Sequence, residues 1–341
     1  MSADTEPVDG VDGRRAWLAW GYWLTAQRGI LIALAIFIAM FATYGWKQEV
    51  GLTASIINTA ANKGALLALV AMAQTLPVIT GGLDLSVGMI FVLTNCLAST
   101  IVVGGPLQTG LGIVAVLLVG LLCGAINGLI VVYGRLQPII VTLATGAIYF
   151  GFALALRPEP GGSVNFEFAD TMTRSFYKVP SSAILLAAAV ALIWIPYRRS
   201  VLGRAAFAIG SSEQAAYMSG VPIARAKVLA YSLAGLLSAI AGLLLTAITY
   251  SGAAKAALGA DYTLNSIGAV VIGGTSLFGG VGSAIGSIFG AFVMRTVGDL
   301  LIVFDINPVL QPLFVGTVLL IAVSVGSLRL LRIKNKLDLY R

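Results

Sequence analysis

No histidine occurs anywhere in the 341 residues, and only 10% of them are charged. Without imidazole the chain has no histidine proton relay, no histidine-ligated metal site and no Ser-His nucleophile, so several enzyme classes drop out together. A soluble fold of this length keeps about 25% charged residues to cover its surface. Cysteine is nearly absent too. Cys96 and Cys123 are the only two, and both lie inside apolar runs, where they read as small buried hydrophobes and not as a disulfide or zinc framework. None of the seven lysines precedes Ser or Thr, so the chain carries no Walker A sequence for ATP.

What fills the sequence is apolar: 58% of residues are hydrophobic and the mean hydropathy is +0.96. Runs long enough to cross a bilayer recur near 29–46, 56–80, 85–103, 111–133, 138–156, 181–197, 228–250, 262–279, 284–304 and 308–327. The expected fold is therefore an all-α polytopic membrane helical bundle of about ten spans, some broken and rich in glycine, with both termini cytoplasmic. Charge positions agree with that topology. Arg14, Arg15, Arg28, Arg135, Arg198, Arg199, Arg204, Arg225, Lys227 and the basic tail from Arg329 to Arg341 fall inside, while Lys47, Arg157, Arg174, Lys178 and Lys255 fall outside. The net charge of +7 thus reflects orientation in a lipid bilayer and not nucleic-acid binding.

Three regions follow from this reading. Residues 1–28 form an acidic cytoplasmic tail and a short interfacial helix marked by Trp17, Trp20 and Trp23, without the basic start of a cleaved signal peptide. Residues 29–328 form the transmembrane domain, with a cytoplasmic loop at 198–227, and residues 329–341 a basic tail. The least regular span is the eighth, since Asp261 to Gly290 is dense in glycine and fits a broken or closely packed helix.

In Gln74 to Gly88, Pro77 interrupts an apolar span and Gly81-Gly82 follow, so a helix break is expected there, with a second double glycine at Gly273-Gly274. Asp84 stands where the next helix would start. It can cap that helix by accepting from N–H groups near Ser86 and Val87, or it can face a solvated path. Gln74, Asn95, Asn127, Thr142 and Thr145 are further candidates for a polar path, although such residues also bond across helices or back to their own carbonyls. Arg295 and Asp299, one turn apart, are expected to neutralise each other. Gly124 with Gly128, and Gly286 with Gly290, mark close helix packing within the subunit. Leu136-Gln137-Pro138 recurs as Leu310-Gln311-Pro312, a faint sign of an internal repeat. In the 198–227 loop, Ser211 or Ser212 caps a two-turn helix that begins at Glu213 and stops at Gly220 and Pro222.

Taken together, QTLPVITGGLDLSVG, AIGSSEQAAYMSG and VVIGGTSLFGGVGSAIGSIFGAF make residues 55–327 resemble the monosaccharide-importing permeases of the ATP-binding cassette superfamily, the ribose, xylose and galactose type. The resemblance implies a bacterial inner-membrane subunit that moves a neutral sugar inward. Its implied partners are a periplasmic sugar-binding protein, a second permease subunit and a separate cytoplasmic ATPase, which would bind ATP and Mg; this chain would hold no cofactor or metal. The pattern Glu213, Ala215, Ala216, Ser219 and Gly220 resembles the helix that couples such permeases to their ATPase. An ion-coupled carrier and a permease for a nucleoside or branched-chain amino acid are the competing functions. An intramembrane aspartyl protease is a poorer fit, because Thr296 stands where its glycine motif would begin.

Overall fold

The computed structural model describes residues 27–48, 51–321 and 324. The tail and interfacial helix expected over 1–28, apart from Gln27 and Arg28, and the basic tail at 329–341 lie outside them. Among the described residues seven helices are long and apolar enough to cross a membrane: α1 (Arg28–Lys47), α2 (Ala54–Ile79), α4 (Pro106–Tyr133), α5 (Pro138–Leu156), a composite helix over Ser181–Arg199, α11 (Ile223–Thr249) and α13 (Ala284–Val303). Of the four shorter apolar helices among the described residues, α3 (Val87–Ile101), α12 (Ala256–Ile272) and α14 (Pro308–Ile321) fall on the three remaining apolar runs of the expected ten. The composite helix divides into α7 (Ser181–Ala189), a π turn at Val190–Trp194 and α8 (Ile195–Arg199). A π turn just before Pro196 absorbs the register lost where proline offers no N–H.

Between crossings, α6 (Phe166–Thr173) leads into a hairpin of β1 (Ser175–Phe176) and β2 (Val179–Pro180), closed through Tyr177 and Lys178 with φ of 46° and 71°. At the opposite end lie α9 (Val201–Ser211) and α10 (Glu213–Met218). Arg28, Arg135, Arg198, Arg199 and Lys227 share that end, the one the positive-inside rule assigns to the cytoplasm.

The centre of the bundle is α2, in which every residue from Gly64 to Ile79 is buried, whereas α1 buries only Ala33 and lies at the periphery. Helix α4 packs along α11 through glycines: a Cβ on Gly124 would strike the carbonyl of Tyr231, and one on Gly128 would sit 2.8 Å from the Cα of Val228. Gly286 and Gly290 likewise meet Gly273 and Ala269, so both glycine pairs pack within the subunit.

Two expectations need correction. Helix α2 runs through Pro77 and ends two residues later, because so near a C-terminus proline forfeits a single backbone bond. What ends it is Gly81, at φ 80°, where Gly82 N donates to the Pro77 carbonyl at 3.1 Å and Gly81 N to the Val78 carbonyl at 2.9 Å. The eighth crossing is α12, which ends at Ile272 and so begins and ends earlier than the 262–279 run. Gly274, at φ 82°, closes it with the same pair of bonds, from Thr275 N to Val270 and from Gly274 N to Val271. Hydropathy overran this end because the loop after it is also apolar.

The two double glycines are not repeat equivalents, since both cap helices at the cytoplasmic end. The opposed units are instead α2–α3 and α11–α12. In each, a long helix gives way to a non-helical stretch, 80–86 or 250–255, and then to a short helix pointing the other way through the bundle. The short helices meet at their starts, where a Cβ on Gly88 would collide with the Gly259 carbonyl. Gly88 and Gly259 each stand thirteen residues before the far end of their helix, about 20 Å at 1.5 Å per residue, so this contact lies at mid-membrane depth.

Candidate functional site

Polar residues collect around the two helix starts. On the cytoplasmic side of the contact, Asp84 is fully buried and its Oδ1 accepts from Ser86 N at 2.9 Å and Ser86 Oγ at 2.6 Å. This bond closes an Asx turn just ahead of α3 and is not the expected cap, since Ser86 holds the N-cap position and its own side chain makes no cap bond. Asn127 Nδ2 donates to Ser86 Oγ at 2.7 Å, and the Tyr149 hydroxyl reaches Asn127 Oδ1 at 3.0 Å and the Cys123 carbonyl at 2.9 Å. Thr142 Oγ1 accepts from Leu85 N at 2.9 Å, which ties the non-helical stretch to α5. Thr145 bonds the Val141 carbonyl on its own helix at 3.0 Å. Asp84 Oδ2 and the buried Tyr231 hydroxyl have no hydrogen-bond partner among the described residues.

On the outer side the arrangement is mirrored. Asn95 of α3 donates to Thr246 Oγ1 at 2.9 Å and to the Ser251 carbonyl at 3.2 Å, and its Oδ1 accepts from Ala253 N at 3.1 Å. In return Thr263 of α12 accepts from Gly88 N at 3.1 Å. Each short helix thus supplies a side chain to the backbone at the start of the other. Gln74, on α2, is fully buried and neither amide atom finds a partner among the described residues. Asp84, Asn95, Asn127 and Thr142 are drawn into these two networks, while Thr145 bonds only within its own helix, and all five are buried.

The cytoplasmic surface is built on α9 and α10. Ser200 caps α9 by accepting from Gly203 N at 2.9 Å, and Ser212 caps α10 by accepting from Ala215 N at 3.3 Å. Gly220 ends α10 at φ 71°, with Gly220 N donating to Tyr217 and Val221 N to Ala216. Of the small residues picked out in the sequence, Ala216 turns inward against Ala205, Ile209 and Ala226, while Ala215, Ser219 and Gly220 are exposed. Glu213 holds Lys227 at 2.7 Å. The outward contour comes from residues the pattern did not single out: Gln214, Tyr217 and Met218, which with Glu213 and Ile223 line an open groove of about 490 Å³. Tyr217 is 73% and Met218 84% exposed. Two large, nearly unburied apolar side chains on a short helix are the missed signal.

Backbone contact joins this surface to the buried network. Gly280 N donates to the Ile79 carbonyl at 3.0 Å, and a Cβ on Gly210 of α9 would collide with both. Gly279 lies equally close, with an added Cβ only 2.8 Å from Gly81 N and 2.9 Å from the Gly210 Cα.

Arg295 and Asp299 form no ion pair with each other. Asp299 lines a gap of about 130 Å³ with Lys63 and Tyr44, and Arg295 Nε is buried without a hydrogen bond among the described residues. Helical spacing allowed the pair, but Asp299 is turned toward the gap that α2 and α1 leave against α13. A third carboxylate, beside Asp84 and Asp299, was missed: with α12 beginning at Ala256, Asp261 belongs to the span and not to the loop before it.

Residues 56–323 match the family described as branched-chain amino acid transport system / permease component. Among similar proteins, the ribose import permease protein RbsC of Bacillus subtilis is 37% identical over 262 residues, 76% of this chain and 80% of its own length. The Escherichia coli K12 ribose import permease is 31% identical over 324 residues, 93% of this chain and 98% of its own. The galactose/methyl galactoside import permease protein MglC of Haemophilus influenzae is 31% identical over 319 residues, 88% and 92% of the two chains. No solved structure matches. A match through all but the two end segments, with relatives that align along nearly their whole length, places the chain in the branched-chain amino acid transport system permease component family.

Proposed function

We propose that this chain is the membrane subunit of a binding-cassette importer that carries a neutral monosaccharide into a bacterial cell across the inner membrane. A separate ATPase docked on the α9–α10 surface would bind and hydrolyse ATP with Mg, a periplasmic binding protein would deliver the sugar, and a second permease subunit would complete the pore. The observation that carries this reading is the α10 surface, whose exposed Tyr217 and Met218 stand two glycine contacts away from the non-helical stretch holding Asp84. Relatives named for ribose and galactose import support a sugar over the amino acid in the family's description.

The route we assign to the substrate passes the head-to-head helix starts. Discontinuous helices that meet at mid-membrane are how many carriers place substrate sites in a protein-lined space. Gln74, Asp84, Asn95, Asn127, Thr142 and Thr145 then serve as the polar groups that exchange partners when α3 and α12 separate. Vesicles holding the chain with its ATPase, and the binding protein added outside, should take up ribose or galactose only with ATP inside. Preferential uptake of leucine over every sugar tried would refute the substrate class.

A further inference from the structure

The α12 residues Ala256, Ala257, Ala260, Asp261 and Leu264 are exposed, and Asn265, one turn beyond Asp261, is partly so. Asp261 lies two residues past Gly259, hence about 3 Å from mid-membrane depth, and it takes part in no hydrogen bond or ion pair among the described residues. An exposed carboxylate at that depth does not face hydrocarbon, since such a charge costs several kcal/mol there and faces a solvated space or a protein partner instead. Neighbouring helices continue this exposed face as a wall. Met89, in the first turn of α3, lies between Gly146 of α5, where an added Cβ would sit 3.6 Å from its Cγ, and Gly259 of α12, where one would sit 2.7 Å from its Sδ. Helices α5 and α12 therefore stand on either side of Met89, with the buried Gly146 and Gly259 packed against its side chain.

We propose that this wall is the permease's own sugar-contact site, in which the two Asp261 oxygens accept from neighbouring sugar hydroxyls and the Asn265 amide bonds a third. The assignment rests on the sugar-import reading. A carboxylate offers two acceptor oxygens at the spacing of a vicinal diol, and hydrogen bonds to a charged group are about twice as strong as neutral ones. The small residues of α12 leave room for a ring to approach the backbone.

The reconstituted complex of permease, ATPase and binding protein tests this with D-ribose and D-galactose as probes. Asp261→Asn should raise the sugar concentration for half-maximal uptake at least about ten-fold, the loss expected for one charge-assisted bond, while ATPase co-purification stays unchanged. Asp261→Cys should react with a water-soluble thiosulfonate, and saturating sugar with binding protein should slow that reaction. Leu192→Cys, on an apolar exposed face, should stay unreactive, and the native Cys96 and Cys123 are buried. No reaction at position 261 in the assembled complex, or an unchanged half-maximal concentration for Asp261→Asn, overturns the proposal. So does recovery of uptake by the exchange Lys255→Asp with Asp261→Lys, which would mean the carboxylate pairs with Lys255 of a second copy. A wild-type complex that imports no sugar would sink the import reading itself, and the thiol reaction would still decide whether this face of α12 meets water.

Discussion

Replacing Gly88 by alanine tests the head-to-head helix contact on which the architecture depends. The new Cβ would lie 2.8 Å from the carbonyl carbon of Gly259 and closer still to its oxygen and to Thr263 Oγ1. Carbon atoms in contact prefer about 3.5–4.0 Å, so α3 and α12 must part by about 1 Å, and the obstacle is backbone, which has no alternative rotamer. Overpacking of this kind costs about 1–3 kcal/mol. The same displacement carries Gly88 N away from Thr263 Oγ1, now at 3.1 Å, and forfeits about 1 kcal/mol more. The total expected loss is about 2–4 kcal/mol. Gly146→Ala is the matched control, because its Cβ would find its nearest neighbours at 3.5 Å, an ordinary contact, on the other side of the same helix start. Thermal unfolding of both variants in lipid nanodiscs should show a clear drop for Gly88→Ala and almost none for Gly146→Ala. Equal midpoints for the two would refute the close approach of α3 and α12.

Gly220→Val should weaken ATPase co-purification, since φ of 71° costs a branched side chain about 1–2 kcal/mol, whereas Gly220→Asn, in open space, should retain it; equal retention by both would rule out the backbone explanation. Glu213→Lys sets a second cation beside Lys227. Because the Glu213 side chain is 55% exposed, folding should change by less than about 1 kcal/mol while docking falls sharply, and a variant that pulls down the ATPase as well as wild type would remove Glu213 from the interface. For orientation, Tyr177→Cys, at a fully exposed position in the hairpin turn, should label in intact cells with an impermeant thiol reagent, and Met218→Cys only after permeabilisation. The reverse pattern would invert the topology.

Hydropathy located the crossings well where a helix is bounded by punctuation the chain spells out. Helix α5 begins at Pro138 and ends at Leu156, as its apolar run does, because proline opens it and Arg157 follows it. It failed at α12, where Gly273-Gly274 end the helix inside a stretch that stays apolar, and that shift hid Asp261 from view. The polar residues Asn95, Asn127 and Thr142 were legible as a set, since buried amides and hydroxyls are conspicuous in an apolar sequence. Their partners were not. Asn95 meets Ala253 across 158 positions and Gly88 meets Thr263 across 175, and no local pattern encodes such pairings. The expected neutralisation of Arg295 by Asp299 failed for the related reason that helical spacing shows which side chains can meet and says nothing of a third element, here α2 with Lys63.

The junction between surface and centre also indicates where motion would be absorbed. Ile79, Gly210 and Gly280 touch through backbone atoms, and closing that contact further or shearing it meets hard repulsion with no side chain to yield. Past the end of α2 the link changes character. Between Thr80 and Ser86 the stretch is held by the Thr142 to Leu85 bond and by Asp84, Ser86 and Asn127, each hydrogen bond contributing about 1 kcal/mol and each able to re-form with water or a polyhydroxylated solute. A push on α9 therefore passes almost rigidly to the end of α2 and spends itself in the polar network, where Asp84 Oδ2 and the Tyr231 hydroxyl, unpartnered among the described residues, stand ready to take up new bonds.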